Sequence, residues 1–343
     1  MSVSSNGTRG PLKAMILAAG FGTRLLPLTR TVPKPMVAVM HRPLLEHTIH
    51  LLRSAGISDI AINVHHLPEQ VMDYFGDGKR FGVNLHFSVE KAILGTAGGI
   101  KAVQGFLQGG PFVVINSDIV VDIDLNSVFD FHRQKGSCLT LVVREDDSPE
   151  KYDPIEIQKD GRIVHFVGAS SLNVPEDTRR VMFTGIQIME PEIFSRIPVG
   201  KFCGTTEHVF PEMIEEGLPV FGYLHKDYWI DLGNRAKYLE VHRDALDGRV
   251  SLKTGALQKA EGAAIVSPAL VGENCTIDPA AKVGPYAVLG KGCRVEAGAV
   301  IEHSVLWDGV TVGSHGSVRR SILGSGVVVQ SKDQIEDRSL INE

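Results

Sequence analysis

Met15-Ile-Leu-Ala-Ala-Gly-Phe-Gly-Thr-Arg-Leu25 is the stretch that decides the fold of this 343-residue chain. An apolar run that breaks into a glycine-rich turn predicts a β-strand that ends at a ligand-binding loop. Similar runs recur at 60–64, 112–116 and 139–143, and amphipathic stretches at 43–55 and 125–135 predict helices between them. This alternation predicts an α/β domain with a mainly parallel sheet over residues 12–248.

A second periodicity begins after about residue 250. Aliphatic residues there recur at every sixth position, which is typical of a left-handed parallel β-helix built from triangular coils. The period slips by one residue after Ile301, so we expect a corner or loop to interrupt the helix near Trp307. The predicted β-helix covers residues 249–330, between a flexible tail at 1–11 and a polar tail at 331–343. The periodic residues are Ile265, Val271, Ile277, Val283, Leu289, Val295 and Ile301.

Composition and charge exclude several classes of protein. A formal net charge of −5 gives no general attraction to nucleic acid or to an anionic membrane. Residues 1–10 have no apolar signal-peptide core, and no later run approaches the roughly 18 apolar residues of a membrane span. The four cysteines are too scattered for a disulfide framework, so we expect reduced thiols, with Cys275 and Cys293 stacked on neighbouring coils. These features predict a cytoplasmic protein without a nucleic-acid or membrane partner.

The turn after the first strand has the features of a phosphate-binding loop. Its glycines expose backbone N–H groups, while Arg24 and Lys34 supply positive charge. Gly-x-Gly alone is a weak signal, because a tight turn without a ligand uses the same residues. Lys34 lies between Pro33 and Pro35, and this rigid frame favours a pre-placed ammonium group over a merely solvated lysine.

Two aspartates follow apolar strand-like runs in the same region of the predicted fold. Asp118 comes after 112–115, and Asp231 comes after Tyr228-Trp-Ile. Either residue alone is equally compatible with a helix cap or a turn. Together, in a chain with a phosphate loop, they indicate Mg²⁺, which is typically held by one or two carboxylates and by substrate phosphates.

The motif Gly-x-Gly-Thr-Arg-Leu-x-Pro-Leu-Thr followed by Pro-Lys-Pro-Met resembles the signature of the sugar-1-phosphate nucleotidylyltransferases. The chain is most similar to the mannose-1-phosphate guanylyltransferases with a C-terminal hexapeptide domain. The resemblance implies a Rossmann-like nucleotidyltransferase domain that transfers a nucleoside monophosphate from a nucleoside triphosphate to a sugar 1-phosphate and releases pyrophosphate. GTP and mannose-1-phosphate are the substrates that it favours.

The resemblance also implies roles for individual residues. The segment Leu94-Gly-Thr-Ala-Gly-Gly99 resembles the part of the family that contacts the base and ribose, although a glycine-rich helix entry explains its spacing equally well. The implied catalytic residues are Lys34, Arg24 and Asp118, and the implied metal ligands are Asp118 and Asp231. The implied nucleotide-binding residues are Ala19, Gly20, Gly22, Thr23, Glu90, Gly95, Thr96 and Gly98, and the implied sugar-binding residues are Gly185 and Glu156.

The sequence departs from the family pattern on the sugar side. Where the family has Tyr-Gly-x-x-Glu, this chain has Tyr152-Asp-Pro-Ile-Glu156. Where the family has Phe-x-Glu-Lys-Pro, it has Phe166-Val-Gly-Ala-Ser170, so the lysine expected to hold the sugar phosphate is missing. Arg179 or Arg180 could replace that charge; a different acceptor and weak catalysis are the alternatives.

Two other functions remain open at this point. The missing lysine would permit a regulatory subunit that binds a nucleotide sugar without efficient catalysis. A hexapeptide acyltransferase with His303 or His315 as general base is the third hypothesis. For the β-helix we expect self-association into a homo-oligomer, because open ends and flat faces are natural stacking surfaces.

Overall fold

The computed structural model describes residues 12–145, 155–171, 177–252 and 264–342. Its helices are α1 Leu44–Ser54, α2 Pro68–Phe75, α3 Gly95–Ala102, α4 Gln104–Leu107, α5 Leu125–Gln134, α6 Phe210–Glu215 and α7 Arg235–Leu246. Its strands up to residue 231 are β1 Lys13–Leu17, β2 Ala38–Val39, β3 Arg42–Pro43, β4 Asp59–Val64, β5 Asn84–Val89, β6 Phe112–Asn116, β7 Ile119–Val121, β8 Leu139–Glu145, β9 Ile155–Ile157, β10 Ile163–Phe166, β11 Ala169–Ser170, β12 Arg179–Met189, β13 Val220–Leu224 and β14 Trp229–Asp231.

The chain folds into two compact units that each combine separate stretches of sequence. Unit 1 contains residues up to 20, 48–117 and 123–227, and unit 2 contains 21–47, 118–122 and 228 onward. The domain boundary at residue 248 that the sequence suggests does not coincide with this division. The lysine turn and the residue Asp118 belong to the same unit as the C-terminal repeats.

Unit 1 is built on one mixed ten-stranded sheet. Four of its strands are parallel in the order β6-β1-β4-β5, as the alternation of strand and helix predicts, and β13 also pairs parallel with β8. Strand β12 then pairs antiparallel with β6, β8 and β9, so the sheet as a whole is mixed rather than mainly parallel. Helices α3 and α4 and residues 191–214 bury their apolar side chains against the sheet. The predicted α/β fold class is confirmed.

Unit 2 contains the predicted β-helix, whose strands form three parallel ladders. Ladder 1 is β15 Ala269–Val271, β18 Ala287–Leu289, β21 Val305–Leu306, β24 Ile322–Leu323 and β27 Ser339–Leu340. Ladder 2 is β16 Thr276–Ile277, β19 Arg294–Val295, β22 Thr311–Val312 and β25 Val328–Val329. Ladder 3 is β17 Lys282–Val283, β20 Val300–Glu302, β23 Ser317–Arg319 and β26 Gln334–Glu336.

The slip in the six-residue period has a different cause from the one that the sequence suggested. Val283 pairs with Ile301, 18 positions on, but Leu289 pairs with Leu306, 17 positions on. The later coils keep the shorter spacing, so one residue is lost at the corner before β21 and the ladders continue. The expected interruption near Trp307 is therefore wrong.

The β-helix also extends further than residue 330. Ile335 pairs with Val318 and Leu340 pairs with Leu323, which continues the 17-residue spacing into the segment expected to be a polar tail. The segment 331–343 was predicted to be a tail because it is polar. A coil with only one neighbouring coil leaves more of its surface exposed, so polar residues are compatible with the β-helix there. The expected tail at 1–11 lies outside the described residues.

Two further expectations can be checked against the structure. All four cysteines are free thiols, and the pairing of β16 with β19 puts Cys275 and Cys293 at equivalent positions of adjacent coils, as predicted. Among the described residues, no helix combines the length and apolar character needed to cross a bilayer.

Candidate active site

The lysine-bearing turn of unit 2 is shaped by Gly22. This residue has a φ of +66°, and a Cβ atom there would lie 2.9 Å from Thr29 Cγ2 and 3.0 Å from Lys34 Cβ. The Gly22 carbonyl accepts hydrogen bonds from Thr29 Oγ1 and from the Leu25 amide. A side chain at position 22 would thus displace the stem of Lys34, so the glycine has a steric reason as well as a conformational one.

Lys34 forms the central ion pair of the unit. Lys34 is the first residue of a single 3₁₀ turn, Lys34–Met36, and it lies between Pro33 and Pro35. Lys34 is only 8% exposed, and its Nζ donates to Asp118 Oδ2 at 2.6 Å. A buried ammonium group requires such a partner, because desolvation without one is costly. The predicted catalytic lysine and one predicted metal ligand are therefore in direct contact.

Asp118 and Asp231 are brought together by a two-stranded ladder. Strand β14 pairs antiparallel with β7, Asp231 lies opposite Ile119, and the Leu232 amide donates to the Asp118 carbonyl at 2.8 Å. The two side chains are 25% and 22% exposed, so both carboxylates retain access to solvent. The predicted pair is thus adjacent in space although 113 positions separate it in sequence.

Arg24, in the loop, lies near the carboxylate of Asp231. Its Nη1 lies 3.9 Å from Asp231 Oδ2, and its side chain is 67% exposed. Such a long, exposed ion pair contributes little stability, so the guanidinium can turn towards another anion at small cost. Gly233 adjoins this pair, because a Cβ there would lie 2.5 Å from Asp231 Oδ2 and 2.8 Å from Arg24 Nη1.

The donor set of this cluster suits Mg²⁺. Two carboxylates provide hard oxygen ligands, and this ion takes the rest of its shell from water and substrate phosphates. No group of three or more His, Cys, Asp or Glu side chains in the described part of the chain could hold a metal by itself. Asp118 and Asp231 therefore fit a metal that arrives with a phosphate ligand better than a permanent structural ion.

Ala19 and Gly20 follow β1 in unit 1, and they differ in what surrounds them. Ala19 is buried, whereas a Cβ at Gly20 would meet no heavy atom within 4 Å. The protein itself therefore imposes no steric need for glycine at position 20. Thr23, in unit 2, is the first residue of the 3₁₀ turn Thr23–Leu25.

Glu90 is the centre of a buried hydrogen-bond network in unit 1. Its carboxylate accepts from Asn63 Nδ2 at 2.7 Å and from the Leu94 amide at 2.9 Å, and it is 4% exposed. Asn63 Oδ1 in turn accepts from the Ala18 amide. Gly99 completes the network, because a Cβ there would lie 2.8 Å from both side chains. Glu90 thus fixes the entry of α3 through its hydrogen bonds within the protein.

The other residues of the Leu94–Gly99 segment pack against the stretch 201–205. A Cβ at Gly95 would lie 2.6 Å from the Cys203 carbonyl, and one at Gly98 would lie 2.9 Å from the Lys201 carbonyl. Thr96 Oγ1 accepts from the Thr205 amide at 2.7 Å. These contacts give the glycine pattern a packing reason, so a role in nucleotide binding stays a prediction.

Gly185, a predicted sugar-binding residue, lies at a β-bulge in unit 1. The register of β12 against β8 shifts between Phe183 and Gln187, and Gly185 has a φ of +86°. A Cβ at Gly185 would lie 2.7 Å from Asn116 Nδ2. Glycine therefore lets the strand pass close to the end of β6.

Glu156 lies on β9 opposite Arg180 of β12, and it accepts a hydrogen bond from Thr178 Oγ1 at 2.8 Å. Arg179 Nη1 lies 3.6 Å from Glu145 Oε1 in an exposed ion pair. Of the two arginines considered for the missing lysine, Arg180 thus shares a ladder position with the predicted sugar ligand. Tyr152, from the first departing motif, lies outside the described residues.

Sequence reasoning missed Asn63 and Gly233. Asn63 is the lone polar residue in the buried run Ile60–Val64, and that break in an apolar strand was the signal available. Gly233 had no signal beyond its place two residues after Asp231. The need for glycine there comes from the close approach of Arg24, which is distant in sequence.

Comparison with known proteins accounts for nearly all of the chain. Residues 13–248 match the family described as nucleotidyl transferase, and residues 265–343 match the domain described as GMPPB C-terminal domain.

Curated relatives span the same region. A UTP–glucose-1-phosphate uridylyltransferase of Synechocystis is 32% identical, with 86% of this chain and 83% of the relative covered. The mannose-1-phosphate guanylyltransferase of Mycobacterium tuberculosis is 30% identical, with 84% and 82% covered. The mannose-1-phosphate guanyltransferase of Saccharomyces cerevisiae is 33% identical, with 79% and 73% covered.

Solved structures share the fold. A putative glucose-1-phosphate thymidylyltransferase from Bacillus anthracis superposes with a TM-score of 0.60 at 21% identity, over 71% of this chain and 98% of that one. HddC from Yersinia pseudotuberculosis, solved with GMP-PN, gives 0.57 at 23% identity, over 67% and 97%. The motif, the charged cluster and the extent of these matches show that the chain is an enzyme belonging to the nucleotidyl transferase family.

Proposed function

We propose that this enzyme transfers a nucleoside monophosphate from a nucleoside triphosphate to a sugar 1-phosphate, with GTP and mannose-1-phosphate as the preferred pair. The ion pair between the buried Lys34 and Asp118 carries the proposal. A turn framed by two prolines presents the lysine, and the partner carboxylate belongs to a pair suited to a metal–phosphate complex. Charge of this kind is what a phosphoryl transfer requires, and it supports the proposal.

The reaction needs no protein nucleophile. An oxygen of the sugar 1-phosphate attacks the α-phosphorus, the bond to the β-phosphate breaks, and pyrophosphate leaves in line. Lys34 is held rigidly, so its ammonium can oppose charge that develops on the α-phosphate without reorganisation. Arg24 is exposed and weakly paired, so it can bind the departing β- and γ-phosphates.

A divalent metal, which we propose to be Mg²⁺, would be held by Asp118 and Asp231 together with the substrate phosphates. When bound, it would neutralise phosphate charge. The carboxylates lie at neighbouring ladder positions, and that pre-arrangement is the protein's contribution.

For the nucleoside we propose recognition by unit 1. The network of Asn63, Glu90 and Gly99 fixes the entry of α3, so the backbone groups of Gly95 and Thr96 are presented in one conformation. Recognition of a nucleoside by backbone groups and by the shape of the site does not require charged residues at fixed positions of the sequence. Base selectivity therefore cannot be read from a motif.

For the sugar phosphate we propose that Arg180 replaces the missing family lysine. It lies opposite Glu156, the residue expected to contact the sugar, whereas Arg179 is directed to Glu145. An arginine can bind a phosphate with two parallel hydrogen bonds, so the exchange preserves both charge and affinity.

The preference for GTP and mannose-1-phosphate rests on the relatives. Several of them, from bacteria, plants and yeasts, are named mannose-1-phosphate guanylyltransferases, and the C-terminal match is to the GMPPB C-terminal domain. The relative named UTP–glucose-1-phosphate uridylyltransferase is the competing choice. Both choices use the same chemistry at Lys34 and Asp118.

Pyrophosphate release across a grid of nucleoside triphosphates and sugar 1-phosphates tests the proposal, with Mg²⁺ and with chelator. We expect GTP with mannose-1-phosphate to give the highest kcat/KM and chelator to abolish release. A preference for UTP with glucose-1-phosphate would correct the substrates and keep the reaction class.

The missing family lysine favours a second candidate function, a regulatory chain that binds nucleotide sugar. In that case the grid would be silent while nucleotide sugar still binds. The complete set of Lys34, Asp118 and Asp231 argues for catalysis, since binding alone does not require it. The acyltransferase hypothesis gains nothing from the matches, and His303 stacks on Tyr286 in the structure.

Self-association also stays a prediction. One outer face of the β-helix is covered within unit 2, because Leu270, Val288 and Val305 belong to the core formed with α7. Ladder 3 instead carries charged pairs such as Lys282 with Glu302. Light scattering over a range of concentrations measures the mass, and a monomer at every concentration would refute a homo-oligomer.

A further inference from the structure

The segment that follows Lys34 is a strained hairpin. Strands β2 and β3 are joined by Met40 and His41, which have φ values of +50° and +67°. Two consecutive residues in the left-handed region form the tight turn that Asn-Gly usually makes, and Met rarely adopts this region. Such a turn persists only where its surroundings hold it.

The β-helix supplies one hydrogen bond to this turn directly. His41 Nε2 lies 2.7 Å from the Leu289 carbonyl, and since a carbonyl only accepts, the Nε2–H donates. Burial lowers the pKa of His41, so the neutral ring is the form that makes this contact.

A second connection passes through α7. Tyr238 is fully buried, and its hydroxyl donates to the Ala38 carbonyl. Trp307 Nε1 donates to the same hydroxyl at 3.1 Å. Because Trp307 belongs to the β-helix and Ala38 is four residues from Lys34, these two hydrogen bonds link the repeat domain to the lysine turn.

Apolar packing joins the same parts. Val37, Val39 and Met40 share one core with residues from four successive coils of ladder 1. Those coil residues pair directly in register, and they are Leu270, Val288, Val305 and Ile322. The hairpin therefore rests on a face that neighbouring coils make rigid.

We infer that the β-helix acts as the support that positions Lys34, with Tyr238 and Trp307 as positioning residues. The inference rests on the proposed function for the role of Lys34 and goes beyond it by giving the repeat domain a part in turnover. A displacement of the lysine turn affects the transition state more than substrate binding, because the ammonium must meet charge that develops during the reaction. Loss of the support should therefore lower kcat and leave KM nearly unchanged.

Two substitutions remove the hydrogen bonds: Tyr238→Phe keeps the six-membered ring, and Trp307→Phe keeps an aromatic side chain that is smaller than the indole. Tyr238→Phe removes both hydrogen bonds. Trp307→Phe removes only the bond from the indole to the Tyr238 hydroxyl. We expect kcat to fall about 10-fold in Tyr238→Phe and about 3-fold in Trp307→Phe, with KM for both substrates within about two-fold, since small misplacements cost up to about 100-fold. The control is Ile301→Val. It removes one methylene group from the separate core inside the β-helix and should leave kcat unchanged.

Hydrogen exchange gives a readout that does not depend on turnover. The Leu44 amide donates to the Val37 carbonyl and closes the hairpin, so exchange in 37–44 should be faster in Tyr238→Phe than in wild type and in Ile301→Val. If wild type releases no pyrophosphate in any substrate pair, the proposed function fails, and exchange alone tests the support. Unchanged exchange in 37–44, unchanged kcat in both variants, or an equal fall of kcat in Ile301→Val would overturn the inference.

Discussion

The two units use different chemistry at their predicted ligand-binding residues. In unit 2, Lys34, Arg24 and two aspartates form a cluster of opposite charges at short range. In unit 1, Asn63, Glu90 and the glycines of α3 form a network in which packing and neutral donors dominate. The comparison shows why one region is visible as a motif: charge requires particular residue types at particular positions, whereas shape depends on backbone contacts between distant segments.

Removal of the Asp118 charge in unit 2 should have the largest effect on kcat. Asp118→Asn leaves Lys34 buried beside a neutral amide and removes one proposed metal ligand, so we expect kcat to fall by about three orders of magnitude or more. Pyrophosphate release at saturating substrate measures it. Asp122→Asn is the matched control, because Asp122 is exposed and close in sequence, and it should keep the wild-type rate. A near-normal rate in Asp118→Asn would end the assignment of that residue.

A substitution at Arg180, the proposed sugar-phosphate ligand, tests whether unit 1 also relies on charge at one position. Arg180→Gln should raise KM for the sugar 1-phosphate about 10- to 100-fold, because a charge-assisted contact contributes about 1.5–3 kcal/mol. KM for the nucleoside triphosphate should not change. Arg179→Gln is the control, since its guanidinium pairs with Glu145 on the surface. Equal effects of the two substitutions on KM would mean that neither arginine binds the phosphate specifically.

The network of Asn63, Glu90 and Gly99 in unit 1 should be sensitive to volume instead. Gly99→Ala would put a methyl group 2.8 Å from both Asn63 Nδ2 and Glu90 Oε1. We expect a loss of about 1–3 kcal/mol in the free energy of unfolding, which outweighs the helix-propensity gain of up to about 1 kcal/mol. Urea denaturation measures it. Gly105→Ala, also helical but with open space around its Cβ, should be neutral or slightly stabilising, and an equal loss there would remove the steric argument.

Each unit also contains a buried histidine whose pKa burial lowers, and here the two regions should behave alike. Burial lowers the pKa of His132 in unit 1 to about 4 and of His242 in unit 2 to about 3. Below about pH 6.5 the unfolded chain takes up protons that the folded chain does not, so stability is intact above that pH and is lost as the pH falls towards 4. At pH 5 each histidine should cost about 2 kcal/mol relative to pH 7.5.

Urea denaturation of wild type and His132→Gln at both pH values measures this effect. The variant should show a smaller pH-dependent loss than wild type, because one of the two histidines with a lowered pKa is gone. A pH-dependent loss of the same size in both proteins would mean that His132 does not contribute.

The residues that could be predicted are those whose signal is local. Strand β6 coincides with the predicted run 112–116, and the six-residue period located the β-helix, because both follow from side-chain alternation within one segment. The Lys34 turn was recognisable because both its prolines and its charge lie within four positions.

What escaped prediction depends on contacts between distant segments. Tyr238 and Trp307 are 69 positions apart and matter only because Ala38 lies beside them. The 17-residue coils still point their apolar residues inward. The sequence shows that the period changes, but the continuous strand pairing across the change is visible only in the structure. The two compact units likewise combine segments that no composition boundary links.

The most direct test of nucleotidyl transfer at Lys34 is the reverse reaction, measured with GDP-mannose and pyrophosphate in wild type and in Lys34→Ala, with GDP-mannose binding measured by calorimetry on the same samples. The predicted result is that both proteins bind the nucleotide sugar within about ten-fold of each other, while cleavage by the variant is slower by about three orders of magnitude. Cleavage by Lys34→Ala at the wild-type rate would contradict the assignment of the lysine, and binding without cleavage by wild type would mean that the chain is a regulator rather than a catalyst.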